Sequence, residues 1–219
     1  MASDGFLELK TYVLYTEGGK EQHLADLLTN TILEIHPEAA KRAYVPLRAY
    51  LKDVKKDGEK VWIEKKVLLF SNYVFVESNN IELFNTFLYT PGFDTGYNLL
   101  GKGTSRLRKR STKKTSGKVV NPKIPGGDDY DIYPVSEDDM KRLRMLMGED
   151  DFVDVSRGIK ENGRVRFTSG PLVGLDPGKI IRIDRHKRFA TVQMQFMGDL
   201  RKIDVAIEVL SAVDDGDAS

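Results

Sequence analysis

Hydrophobic and polar positions along this chain follow two rhythms, one helical and one extended. Residues 9–15 (LKTYVLY) are rich in β-branched and aromatic side chains and predict a strand. From Glu21 onward Leu24, Leu27, Leu28, Ile32 and Ile35 recur at helical spacing, which predicts a helix with one buried face; Pro37 follows it, where a helix cannot continue. Residues 42–51 and 61–66 are strand-like runs around Lys55-Lys56-Asp57-Gly58, and an Asp-Gly between such runs predicts an antiparallel hairpin. Residues 70–77 (FSNYVFVE) predict a further strand. A short helix carrying Ile81, Phe84, Phe87 and Leu88 follows Asn80 and ends before Pro91-Gly92-Phe93. The order is β-α-β-β-β-α. A third helix is expected over 136–147, with Ser136 and Asp139 as a capping-box-like pair and Met140, Leu143, Leu146 and Met147 on one face.

Past the acidic stretch Glu149-Asp150-Asp151 the rhythm becomes purely extended. Val165 with Phe167, Ile181 with Ile183, Val192 with Met194 and Phe196, and Ile203 with Val205 alternate with polar residues. Turns fall at Ser169-Gly170-Pro171, Arg185-His186-Lys187-Arg188 and Met197-Gly198-Asp199. Five short strands in about 50 residues leave exposed edges as an open sheet, so closure into a small barrel is expected. The fold class is therefore α+β: an N-terminal antiparallel sheet with flanking helices over 7–148, a linker over 149–157 and a small β-barrel over 158–213.

At 219 residues, and roughly 100–200 per domain, the chain has room for one large domain or two small ones. Its 40% hydrophobic content suffices for a core. Having no cysteine, it has no disulfide framework, thiolate nucleophile or Cys-ligated metal. Residues 1–10 contain two acidic residues and lack the apolar run of roughly seven that a signal peptide needs. No stretch approaches the roughly 18 apolar residues of a membrane span. The expectation is a cytoplasmic protein with no membrane partner.

Signals for catalysis are weak. Gly96 to Lys102 has the G-x-x-x-x-G-K spacing of a phosphate-binding loop, but Gly103 stands where a hydroxyl must hold magnesium, and a basic polar run replaces the helix that should follow. His23, His36 and His186 have no second ligand at metal spacing, and Asp128, Asp129 and Asp131 lack the spacing of a calcium loop. No nucleophile, base and acid arrangement is signalled. A non-enzyme with no cofactor and no metal is expected.

The strongest chemical signal is residues 102–118 (KGTSRLRKRSTKKTSGK). They hold eight basic side chains, Lys102, Arg106, Arg108, Lys109, Arg110, Lys113, Lys114 and Lys118, and no acidic one. The formal net charge of +1 conceals this: without these eight, 26 basic residues face 33 acidic ones, a balance of −7. Two readings stand. The run is a solubilising linker, or it neutralises phosphates and releases their counterions on RNA. Further basic groups lie around the first hairpin (Lys52, Lys55, Lys56, Lys60, Lys65 and Lys66) and in the barrel (Arg182, Arg185, Lys187 and Arg188).

Tyr12-Val13-Leu14-Tyr15, the segment Leu69-Phe70-Ser71-Asn72-Tyr73-Val74-Phe75-Val76-Glu77 and Thr90-Pro91-Gly92-Phe93 together resemble the N-terminal (NGN) domain of NusG-type transcription elongation factors. The run from Gly163 to Gly174, Gly178-Lys179-Ile180-Ile181-Arg182-Ile183-Asp184 and Phe196-Met197-Gly198 resemble the SH3-like KOW barrel that follows it in that family. The resemblance spans about residues 7–213 and extends to specialised paralogues that act as processive antiterminators, such as the LoaP group. Thr11 stands where the family usually has tryptophan and Ser71-Asn72 replaces the common Pro-Gly, both of which point away from a housekeeping member, and the connection between Gly96 and Pro134, longer than is usual in the family, is where specialisation is expected to reside.

This resemblance implies docking on the clamp helices of RNA polymerase through an apolar, aromatic pocket. By position its candidates are Tyr12, Phe70, Tyr73, Phe75, Thr90 and Phe93, with Asn85 and Thr86 for a second contact across the polymerase cleft. For nascent RNA, in hairpin form or otherwise, the candidates are the eight basic residues of 102–118 with Arg185, Lys187 and Arg188. The implied function is elongation and processive antitermination by a monomer. The alternative is a general adaptor whose barrel links polymerase to a ribosomal protein or termination factor without specific RNA binding.

Overall fold

The computed structural model describes residues 8–16, 18–88, 98–99 and 134–211. Its mixed composition, with few helices and mostly antiparallel strands, agrees with the α+β expectation. The chain packs as two units, one from residues 1–43 and 72–135, the other from 44–71 and 136–219.

In the first unit β1 (Lys10–Tyr15) pairs antiparallel with β5 (Tyr73–Ser78), in the order β2-β5-β1-β6 with β2 (Arg42–Tyr44) and β6 (Asn98–Leu99) outside. Every residue of β5 is buried. Helix α1 (Glu21–Leu28) buries Leu24, Ala25 and Leu28, then passes into a π turn over Thr29–Leu33. That wider turn rotates the following positions, so Leu33 is buried and Ile35, expected on the buried face, is 68% exposed. Helix α2 (Ile81–Leu88) starts at Asn80, whose Oδ1 accepts the Leu83 N–H at 3.1 Å.

The strand expected over 70–77 begins later. Residues 71–72 form a turn in which Asn72 adopts a left-handed φ of 72°. Buried Glu21 secures it by accepting the Asn72 N–H at 2.8 Å, while Asn72 Nδ2 donates to the Thr16 carbonyl at 3.0 Å. Phe70 thus precedes the turn and belongs to the second unit.

In the second unit the expected hairpin is present and longer than the sequence pattern marks: β3 (Leu47–Lys56) pairs with β4 (Glu59–Leu68). Asp57 and Gly58 both have positive φ, 53° and 85°, as a two-residue type I′ turn requires. The run expected over 42–51 is broken at Val45-Pro46, where proline has no N–H for a sheet ladder, into β2 and β3. A short β7 (Phe152–Val153) pairs parallel with β3, completing the order β4-β3-β7.

The remaining strands form a curled sheet in the order β10-β11-β12-β8-β9. They are β8 (Ser156–Glu161), β9 (Arg164–Ser169), β10 (Ile180–Asp184), β11 (Phe189–Phe196) and β12 (Asp199–Ser211), the last pairing parallel with β8. β7 and the start of β8 lie within the segment read from sequence as a linker. Ala49 and Leu51 of β3 share a core with Val155 and Ala206, flanked by Trp62 and Phe152. Helix α3 (Glu137–Met147) is capped as expected, with Ser136 Oγ accepting the Asp139 N–H at 3.1 Å. The Asp139 carboxylate does not return to Ser136 N–H as a capping box would; it binds Arg142 Nη2 at 2.6 Å and accepts the Met197 N–H, in the β11–β12 turn, at 2.9 Å.

Candidate functional site

Paired strands place directly opposed residues on one face of a sheet. Tyr73 opposes Tyr15 and Phe75 opposes Val13, whereas Tyr12 opposes Val76. Tyr73 and Phe75 therefore share a face with Val13 and Tyr15, and Tyr12 lies on the other face with Leu14, Val74 and Val76. All three candidate aromatics are buried, with exposures of 7% for Tyr12, 6% for Tyr73 and none for Phe75. Tyr73 meets Tyr15 edge-on at 6.4 Å. Burial, reinforced by the Glu82 carboxylate of α2, pushes the Tyr12 phenol up. On the same helix Asn85 is half-buried and Thr86 exposed, its Oγ1 donating to the Glu82 carbonyl at 3.0 Å.

Phe70 belongs to the second unit, where its ring stacks on Phe196 with centroids 4.9 Å apart and planes within 5°. It is 7% exposed. The structure thus gathers Tyr73 and Phe75 on one face, puts Tyr12 on the opposite face and Phe70 in a separate aromatic stack. Thr90 and Phe93 lie outside the described residues, as do all eight basic residues of 102–118.

The remaining basic candidates occupy the turn between β10 and β11. Arg185 and Lys187 are exposed. Asp184 shapes the turn by accepting the Lys187 N–H at 2.9 Å and pairing with Arg182 at 2.8 Å. The Lys187 N–H, helped by Arg182 and opposed by burial, holds the Asp184 carboxyl below its usual range.

Arg188 closes the turn with a left-handed φ of 54° and lays its guanidinium 4.5 Å from the centre of the Trp62 ring on β4. Lys60 lies over the same ring at 4.9 Å and pairs with Asp53 at 3.0 Å. Behind Arg188, Glu208 approaches at 3.7 Å and also binds Arg157 at 3.1 Å. The hairpin and barrel cations, separate in sequence, thus meet on the only tryptophan of the chain.

No family model and no curated protein matches this chain. It is similar in structure to NusG of Thermotoga maritima, which was solved to describe domain interaction in that protein. The two are 17% identical, the match covers 92% of this chain and 94% of the other, and the TM-score is 0.44.

The Trp62 cluster has defined chemistry. A cation over a partly exposed indole contributes about 0.5–1 kcal/mol, and the half-exposed Arg188–Glu208 pair at most about 1 kcal/mol. Both are weak enough for a phosphate to take over the guanidinium while the ring keeps it oriented. Trp62 carries no signal of this in the sequence, because a single aromatic inside a lysine-rich hairpin reads as a strand residue and its cationic partner comes from a distant turn.

Proposed function

We propose that this chain is a non-enzymatic transcription elongation factor that suppresses pausing and termination by holding both RNA polymerase and a nascent RNA element. The observation that carries the reading is the acid-free run of eight basic residues over 102–118, set in a chain whose other charges sum to −7, alongside segments that resemble the NGN and KOW domains. The Trp62 cluster supports it by supplying an aromatic-backed guanidinium near the exposed Arg185 and Lys187. Under this proposal the residues divide as 7–148, an NGN-like domain, and 158–213, a closed SH3-like KOW barrel. The protein works in the cytoplasm as a monomer of the specialised antiterminator type. Two weak contacts, one to RNA and one to the clamp helices, raise each other's effective concentration. Polymerase contact through Phe70 requires its stack on Phe196 to open.

The test is binding of a structured RNA across a salt series. Each phosphate neutralised on a single strand contributes about −0.7 to the slope of log affinity against log salt. A steep slope is expected, and it flattens when the eight basic residues become serine. A flat slope in the wild type, or no loss in the variant, refutes the RNA role.

A second reading is favoured by one observation: β9 and β10 terminate the five-strand order and present edges to which a partner strand can add. In that reading the C-terminal sheet is an adaptor for a ribosomal protein or termination factor and 102–118 is a passive linker. Full function after deletion of 102–118, with retained binding of such a partner, selects it.

A further inference from the structure

The β3–β4 hairpin has one face committed to the core and one that is not. In its register Tyr50 opposes Lys65, Lys52 opposes Ile63 and Val54 opposes Val61, so these six share a face. The opposite face carries Ala49 and Leu51 into the core with Val155 and Ala206. On the outer face Tyr50 is 44%, Val61 38% and Ile63 36% exposed. β4 is also the end strand of its three-stranded sheet, so one edge of this ten-residue strand has no ladder partner among the described residues.

We propose that the open edge and outer face of β4 dock an extended, acidic segment of a partner protein, in which aliphatic residues alternate with Asp or Glu. Strand addition supplies the backbone bonds, and the exposed side chains set the selection. Along β4 the apolar Val61 and Ile63 are followed by Glu64, Lys65 and Lys66, all exposed. A neighbouring strand then places aliphatic side chains against Val61 and Ile63 on the outer face and its alternate carboxylates on the opposite face, where Lys60 and Lys66 flank Glu64, while Lys65 adds positive charge at the end of the outer row. On the outer face the one acidic residue is Glu59, beside the turn and opposite Lys56, while Asp53, tied to Lys60 at 3.0 Å, and Glu64 lie on the inner face; over 47–68 seven basic residues outnumber four acidic ones. The charge therefore favours an anionic partner.

RNA is also anionic, but three of the four apolar side chains here are β-branched aliphatics with no π face on which a base can stack; only Tyr50 has one. Lysines on an edge strand also discourage self-pairing. That role explains Lys65 and Lys66 without explaining an exposed row of Tyr50, Ile63 and Val61.

The experiment uses the full chain, isotope-labelled, titrated with a synthetic peptide matching β4 in length and alternating Ile or Val with Glu, with the same peptide carrying Lys for Glu, and with oligouridine. The expected result is amide and methyl shift changes confined to β3 and β4 with the acidic peptide, and none with its basic counterpart. Val61→Thr with Ile63→Thr, which keeps strand propensity, weakens binding at least about tenfold, and Lys65→Glu with Lys66→Glu reverses the peptide preference. The proposal is overturned if neither peptide shifts β4, if charge reversal leaves the preference unchanged, or if oligouridine is the probe that shifts β4. Concentration-dependent dimerisation abolished by the threonine pair also overturns it, because the occupant is then a second copy.

Discussion

Replacing Asp139 isolates the contribution of one buried carboxylate to the second unit. In Asp139→Ala the Met197 N–H loses its acceptor at 2.9 Å, and Arg142 loses its 2.6 Å partner. A hydrogen bond from a backbone N–H to a charged group is worth about 1.5–3 kcal/mol. The Arg142 side chain is 36% exposed, so that pair adds at most about 1 kcal/mol. The sum, about 2–4 kcal/mol, lowers Tm by roughly 4–16 °C at about 2–4 °C per kcal/mol for a chain of this length. Asp139→Asn keeps an acceptor for Met197 and loses the charge, so its effect falls between the two. Burial pushes the Asp139 carboxyl up, but Arg142, the Met197 N–H and Ser136 outweigh it and hold the group below its usual range. A carboxyl depressed in the folded state stabilises above its unfolded pKa of about 3.9, and that stability is lost as pH falls through the folded value. The difference in urea midpoint between wild type and Asp139→Asn is therefore constant near neutral pH and shrinks below about pH 4. Equal melting temperatures for wild type and Asp139→Ala, or a midpoint difference that persists undiminished in acid, would mean that the Asp139 carboxylate does not stabilise this unit.

Two further perturbations bear on the same unit. Gly170 has a φ of 85°, and a Cβ there lies 2.5 Å from the Val155 carbonyl oxygen, so Gly170→Ala costs about 2–4 kcal/mol by chemical denaturation, with left-handed strain and the clash acting together. Because Trp62 is the only tryptophan, its fluorescence reports the basic cluster directly. Structured RNA shifts or quenches this emission in the wild type, and Arg188→Ser with Lys60→Ser suppresses the response at a temperature where both proteins are folded, while losing the two ring contacts, about 0.5–1 kcal/mol each, lowers the melting temperature by roughly 2–8 °C.

How far the sequence anticipates the structure depends on the range of the interaction that decides each feature. Asp57-Gly58 announces its turn because the conformation is local to two residues, and Ser136 announces the start of α3 for the same reason. The π turn at Thr29–Leu33 carries no comparable signal, and its consequence, exposed Ile35, reverses a periodicity argument that holds for Leu24 and Leu28. Pro46 is visible, yet the break it makes between β2 and β3 lies inside a run that otherwise reads as one strand. The candidate aromatics are legible as strand residues, but the faces they occupy follow from the β1–β5 register, which depends on residues some sixty positions apart. The meeting of Arg188 with Trp62, and of Phe70 with Phe196, is tertiary in origin and has no local trace.

Purified transcription through an intrinsic terminator, with RNA polymerase, this protein and a template whose leader encodes the candidate RNA element, measures RNA-dependent read-through. The predicted result is increased read-through that needs both the leader and the basic residues of 102–118. Read-through that does not change when the protein is added, or that persists in full after those eight residues become serine, contradicts the proposed RNA-dependent suppression of termination.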